Sequence, residues 1–144
     1  MTKLNEITLS AKKSEFNTCK ITSSRSAADC IRQFYGSDIG LFESFFLLLL
    51  NRGNKTIGYV KISQGGVCGT VVDPKIVAKY AIDSLASSVI LCHNHPSGEL
   101  RPSMADQDIT RKIVEGLNLF DIQTLDHIIL SDDGFFSFQD DGIL

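Results

Sequence analysis

Apolar residues follow two periods along this chain, and the switches between them mark out strands and helices. Weak alternation in Ile7-Thr8-Leu9 and in Phe16-Asn17-Thr18-Cys19 predicts one or two edge strands within an N-terminal extension, residues 1–22. Ala27, Cys30, Ile31 and Phe34 then fall at helical spacing, with Ser24 or Ser26 as the cap and Gly36 as the stop. Residues 43–51 are continuously apolar after the first positions, as in a strand buried on both faces, and Arg52-Gly53-Asn54 turns them into a second strand at 56–62. Gly65-Gly66 breaks the chain before a short strand at 70–72. Asp73 caps the next helix, with Pro74 in its first turn and an apolar stripe of Ile76, Val77, Tyr80, Ala81 and Leu85. A β-branched run at 88–92 precedes a helix starting at Ser103, with Ile109, Ile113 and Leu117 on one face. Strands at 128–130 and 135–138 close around Asp133-Gly134. Strands and helices interleave, which predicts an α/β fold with a mixed sheet flanked by helices.

With 144 residues, 43% of them hydrophobic and 22% charged, the chain has the size and composition of one globular domain. A net charge of -3 argues against gripping nucleic acid by charge alone, and Lys12, Lys13 and Lys20 form the only loose basic grouping. Cys19, Cys30, Cys68 and Cys92 are spaced too unevenly for a zinc ribbon or a redox pair and read as small buried hydrophobes. No secretory leader is expected, so the cytoplasm is the expected compartment, and the apolar run at 45–50 is too short to span a bilayer.

The chemistry concentrates in His93-Asn94-His95-Pro96-Ser97-Gly98. Side chains alternate along an extended strand, so His93 and His95 project to one side while Cys92 and Asn94 turn away. The turn at Pro96-Ser97-Gly98 leads to the helix that begins at Ser103 and carries Asp106 in its first turn. Two neutral imidazoles and a carboxylate suit zinc, and three protein ligands leave a fourth position for water, as in catalytic sites. Taken singly, each residue also has a plain reading: Ser103 and Asp106 as a capping box, and the histidines as half-exposed strand residues.

Taken together, the run from His93 to Gly98, then Pro102-Ser103, Asp106 and Thr110, resembles the JAMM signature of JAB/MPN domains of the RadC type. The resemblance extends to Ser63, Gly65, Pro74 and Ala86 upstream, and to Leu125-Asp126-His127 and Phe136-Ser137-Phe138 downstream. It places the domain at residues 23–144 and implies a cytidine-deaminase-like α/β/α sandwich with zinc on His93, His95 and Asp106. It further implies a metalloprotease-type hydrolase acting on a peptide or protein substrate, in which a zinc-bound water attacks a peptide or isopeptide amide. Glu43, which alone among five glutamates opens a buried strand, matches the family's general base. Ser103 matches the serine that donates to the oxyanion, and Asp126-His127 matches a segment that packs in the core or supports the ligands. Longer RadC proteins carry an N-terminal helix-hairpin-helix region associated with DNA binding, which is expected to be missing here. DNA is therefore a partner by family association only. The alternatives are a DNA-repair-associated or nucleic-acid-processing protein and a non-catalytic zinc-stabilised interaction module. Zinc deamination lacks its His-x-Glu and Pro-Cys-x-x-Cys pair.

Overall fold

The computed structural model describes residues 1–65 and 71–144. In chain order the elements are helix α1 (Ser24–Arg32), strands β1 (Ser44–Leu50) and β2 (Thr56–Gln64), helix α2 (Pro74–Asp83), strand β3 (Ser88–Asn94), helix α3 (Met104–Asn118), and strands β4 (Gln123–Leu130) and β5 (Phe135–Ser137). A 3-10 turn lies at Ser37–Gly40. The strands form one mixed sheet in the order β2-β1-β3-β4-β5, in which β3 and β4 run parallel and the other neighbours antiparallel.

β1 and β3 lie inside the sheet and are buried along their whole length. A strand covered on both faces needs apolar side chains at nearly every position, which is why 45–50 reads as an unbroken run. Alternation still sorts those side chains. Leu48, Leu50, Ile90, Cys92, Ile128 and Leu130 pack with Ala27, Ala28, Cys30 and Ile31 of α1 on one face. Phe45, Leu47, Leu49, Val89 and Leu91 pack with Val77 and Ala81 of α2 and with Ile113 and Leu117 of α3 on the other. The result is the expected α/β fold, a sheet with one helix on one side and two on the other.

The helix ends follow local hydrogen-bond chemistry. α1 is capped by Ser23, one residue before the earlier of the two expected caps. Ser23 Oγ accepts from the Ser26 N–H at 3.1 Å and Ser26 Oγ from the Ser23 N–H at 2.9 Å, so Ser26 completes a capping box from inside the helix. Asp73 caps α2 as expected, accepting from the Lys75 N–H at 2.9 Å. Of the expected α2 stripe only Val77 and Ala81 are buried, and Leu85 lies beyond the helix at φ 56°, in the left-handed position that closes many helices.

The N-terminal strands expected at 7–9 and 16–19 do not form. Residues 1–15 are all exposed, so their alternation buries no face, and pairing is confined to one bridge, Lys20 with Lys55, at which the Thr56 N–H donates to the Cys19 carbonyl and the Ile21 N–H to the Asn54 carbonyl, both at 2.9 Å. Strands persist through extended pairing and a covered face; among the described residues 7–9 have neither, and 16–19 pair only at Cys19, through Thr56. Phe16 instead rests on Phe34 and Tyr59, with ring centroids 5.4 and 5.6 Å away. Of the strand expected at 70–72, residue 70 lies outside the described residues, as does Cys68, and Val71 and Val72 are not in a strand. Among the described residues no helix is long and apolar enough to cross a membrane.

Leu91 is wholly buried and Leu119 is 82% exposed. Leu91→Ala should therefore lower unfolding free energy by about 2–5 kcal/mol, and Leu119→Ala by no more than about 0.5 kcal/mol. Urea denaturation of the two variants checks this contrast.

Candidate metal centre

β3 ends at Asn94, and the parallel ladder continues for one residue as the His95 N–H donates to the Leu130 carbonyl at 2.9 Å. Because β3 and β4 are parallel, the connection through α3 must begin at this same edge of the sheet, and open α/β sheets gather ligands there. His93 falls on the face covered by α2 and α3. Its ring stacks on Phe45, its cross-strand partner, with centroids 6.0 Å apart and planes 7° from parallel. Gly98, at φ 86°, turns the chain back toward α3.

Ser103 is the cap of α3. Its Oγ accepts from the Asp106 N–H at 3.0 Å, and Asp106 Oδ2 accepts from the Ser103 N–H at 2.8 Å. The capping box therefore also orients the Asp106 carboxylate, which faces both histidines: Oδ1 lies 3.4 Å from His93 Nε2 and Oδ2 lies 3.2 Å from His95 Nε2. The two Nε2 atoms are 3.0 Å apart, and Glu43 Oε1 stands 4.0 Å from that of His95. Ligand atoms of Glu43, His93 and His95 fit within 4.8 Å of one another. Glu43, His93, His95 and Asp106 thus converge on one point, and Ser103 is joined to it through its hydrogen bonds with Asp106. Beside them is a cavity of about 160 Å³, with Glu43, His93 and Asp106 on its polar side and Phe45, Val72 and Ile109 on its apolar side.

These atoms suit a cation. His95 Nδ1 sits 2.6 Å from the Glu99 carbonyl, which can only accept, so Nδ1 carries the hydrogen and neutral His95 presents a bare Nε2. Two imidazole nitrogens on a tetrahedral zinc, at 2.0–2.1 Å each, stand roughly 3.3 Å apart, close to the spacing seen. Without a metal, a proton is the cation. Burial pushes the Asp106 carboxyl up, but hydrogen bonds from His93 and His95 outweigh it and hold the group far below the usual carboxylate range. Burial pulls His95 down, yet the Asp106 hydrogen bond, the Glu99 carbonyl and the charges of Asp106 and Glu43 leave it above the ordinary imidazole value.

Two neighbours, Asn94 and His127, have parts that residue type and spacing did not disclose. Asn94 turns away from the histidines, as alternation requires, and its amide grips the segment that carries Glu43. Oδ1 accepts from the Ser44 N–H at 2.7 Å, and Nδ2 donates to the carbonyls of Ile39 and Phe42, both at 2.7 Å. His127 reaches not the convergence point but the far side of His93, with its Nε2 2.7 Å from His93 Nδ1, and Thr110 Oγ1 lies 2.6 Å from His127 Nδ1. The signal for His127 was a lone histidine in an apolar strand, on the same face as His93. Cys92, next to His93, belongs to the opposite core face and packs against Tyr35, where burial pushes its thiol far up.

A family model for the RadC-like JAB domain matches residues 21–143. The chain belongs to this family. Its mixed sheet flanked by three helices is the architecture expected of a JAB/MPN domain. The RadC-like domain is 44% identical over 124 residues to a UPF0758 protein of Flavobacterium johnsoniae, covering 86% of this chain and 53% of that one. It is 41% identical over 125 residues to a UPF0758 protein of Porphyromonas gingivalis, covering 86% and 54%. It is also 41% identical over 102 residues to UPF0758 protein YfjY of Escherichia coli (strain K12), covering 71% and 64%. The chain spans about half the length of the first two relatives.

Asn94→Ala leaves two buried backbone groups, the Ser44 N–H and the Ile39 carbonyl, and the part-buried Phe42 carbonyl without their partner, so it should cost roughly 3 kcal/mol of stability, read by denaturant unfolding. In the metal-free domain, the Asp106 contribution is present above about pH 3.9 and is lost as pH falls through its lower folded pKa. The His95 contribution is present below about pH 6.5 and is lost as pH rises through its higher folded pKa. The RadC-like domain should therefore be most stable between these limits and weaken on the alkaline side. A metal ion bound in place of the proton should remove the alkaline loss, as melting curves across pH with and without added zinc will show.

Proposed function

We propose that this RadC-like domain is a zinc-dependent hydrolase that cleaves a peptide or isopeptide amide. What supports this reading is the convergence of two Nε2 atoms and one carboxylate at 3.0–3.4 Å, with a second carboxylate set back at 4.0 Å. His93, His95 and Asp106 hold the zinc, and Glu43 is left for proton transfer. When bound by three protein ligands, zinc supplies a Lewis acid that brings the pKa of a water down to about 7.

The residues of the chain do the rest. Glu43 takes a proton from the attacking water and returns it to the departing amine, and Asn94 keeps Glu43 in place by gripping the backbone on both sides of it. The Ser103 hydroxyl accepts within the cap, which leaves its hydrogen for the substrate carbonyl oxygen as charge develops there. Glu43 and Asp106 on the cavity, in a chain of net charge -3, favour an amide over a polyanionic nucleic-acid substrate. A non-catalytic zinc-stabilised module would have no need of a second carboxylate held beside the ligands.

The purified domain should contain about one zinc per chain by elemental analysis, and His95→Ala should lose it. On a substrate found by peptide and isopeptide screening, Glu43→Gln should cut turnover by about a hundred- to ten-thousand-fold with zinc retained. Ser103→Ala should cost a comparable factor in turnover if its hydroxyl meets the oxyanion, and only about 1 kcal/mol of stability if it serves the cap alone. Full zinc content in His95→Ala, or normal turnover in zinc-loaded Glu43→Gln, would contradict these assignments.

A further inference from the structure

We propose that His127 and Thr110 are positioning residues that set the tautomer of His93, so that its Nε2 meets the metal as a bare lone pair. The role rests on the metal reading of the same site. It follows from three contacts taken in order. Thr110 Oγ1 lies 2.6 Å from the Asp106 main-chain carbonyl, which can only accept, so the hydroxyl hydrogen lies between them. Thr110 Oγ1 then has only lone pairs to offer His127 Nδ1, 2.6 Å away, and that nitrogen must carry a hydrogen. A neutral imidazole carries one hydrogen, so His127 Nε2 is an acceptor. His93 Nδ1, 2.7 Å from it, is therefore the donor, and the remaining nitrogen of neutral His93 is unprotonated.

The surroundings hold this order in place. His127 is fully buried, with Phe138 stacked on it at 4.5 Å and 13° and Phe45 meeting it edge-on at 5.6 Å. No carboxylate hydrogen-bonds either of its nitrogens among the described residues, so a second proton on His127 has no partner to offset desolvation. The chain of bonds begins at one proposed ligand, His93 on β3, crosses to β4, and ends on the backbone of another, Asp106 on α3. Two ligands from separate elements are thereby tied together, and both His127 nitrogens are engaged, one by His93 and one by Thr110.

Thr110→Val removes the hydroxyl with little change of shape, and Thr110→Ser keeps it. Zinc affinity, measured by competition with a chromophoric chelator, should fall about ten- to a hundred-fold in Thr110→Val and stay near wild type in Thr110→Ser. Long-range proton–nitrogen spectra of the metal-free domain at alkaline pH should show His93 and His127 both protonated at Nδ1. An Nε2–H form of His93 in the wild type overturns the proposal. So does a Thr110→Val protein that melts lower but binds zinc unchanged, which is the outcome of a packing role alone. If the wild type binds no zinc, the hydrolase reading fails, and the ring spectra still decide the tautomer.

Discussion

Strand β3 is hydrogen-bonded on both edges and covered on both faces, and this double confinement leaves each of its side chains a single direction. A slip of one residue would exchange Cys92 and Asn94 for His93 and would move every apolar side chain to the opposite core. The register is held by Val89 and Leu91 toward α2 and α3, and by Ile90 and Cys92 toward α1. The direction of His93 is thus set by the same packing that stabilises the domain. Asn94, pointing the other way, brings the start of β1 against the end of β3 and with it Glu43.

The parallel pairing of β3 with β4 adds the second half of the site. It requires a crossover, and the crossover helix starts beside the strand end where the histidines lie. Its capping box turns Asp106 toward them, so one carboxylate serves both the helix terminus and the cation site. A negative group is favoured at a helix N-terminus in any case. The histidines add to that, since a proton or metal shared with them lowers the free energy of the charged carboxylate. Local helix chemistry and site chemistry are therefore aligned rather than in competition.

Most elements were legible from sequence because their signals are local. The Asp73-Pro74 start of α2, the hairpin turn before β2 and the Ser103 start of α3 each depend on residues within a few positions of one another. The failures have the same origin. Alternation in residues 1–22 looked like a strand, but pairing is a long-range property, and among the described residues it is confined to a single bridge between 19–21 and 54–56. The cap of α1 shifted to Ser23 because several serines in a row offer equivalent side chains, and only the backbone decides which one sits outside the helix. In α2, Ile76, Tyr80 and Leu85 joined the stripe on paper, yet the sheet covers only the narrow strip at Val77 and Ala81.

At the site, the sequence by itself determined that His93 and His95 share a side, that Asn94 and Cys92 do not, and that Asp106 occupies the first turn of a helix. Those statements need only the two-residue period of a strand and the capping preferences of a helix, both carried by neighbouring residues. The sequence could nominate Glu43 only through a family resemblance, because fifty residues separate it from His93. Tertiary structure decided that Glu43 comes within 4.0 Å of His95 and that Asn94 grips its backbone. It also decided that His127 and Thr110 close a chain of hydrogen bonds behind His93. These contacts depend on the strand order β2-β1-β3-β4-β5, which sets β1 and β4 on either side of β3. That order arises from burying both faces of the sheet at once, a property of the whole chain that no short window of residues expresses.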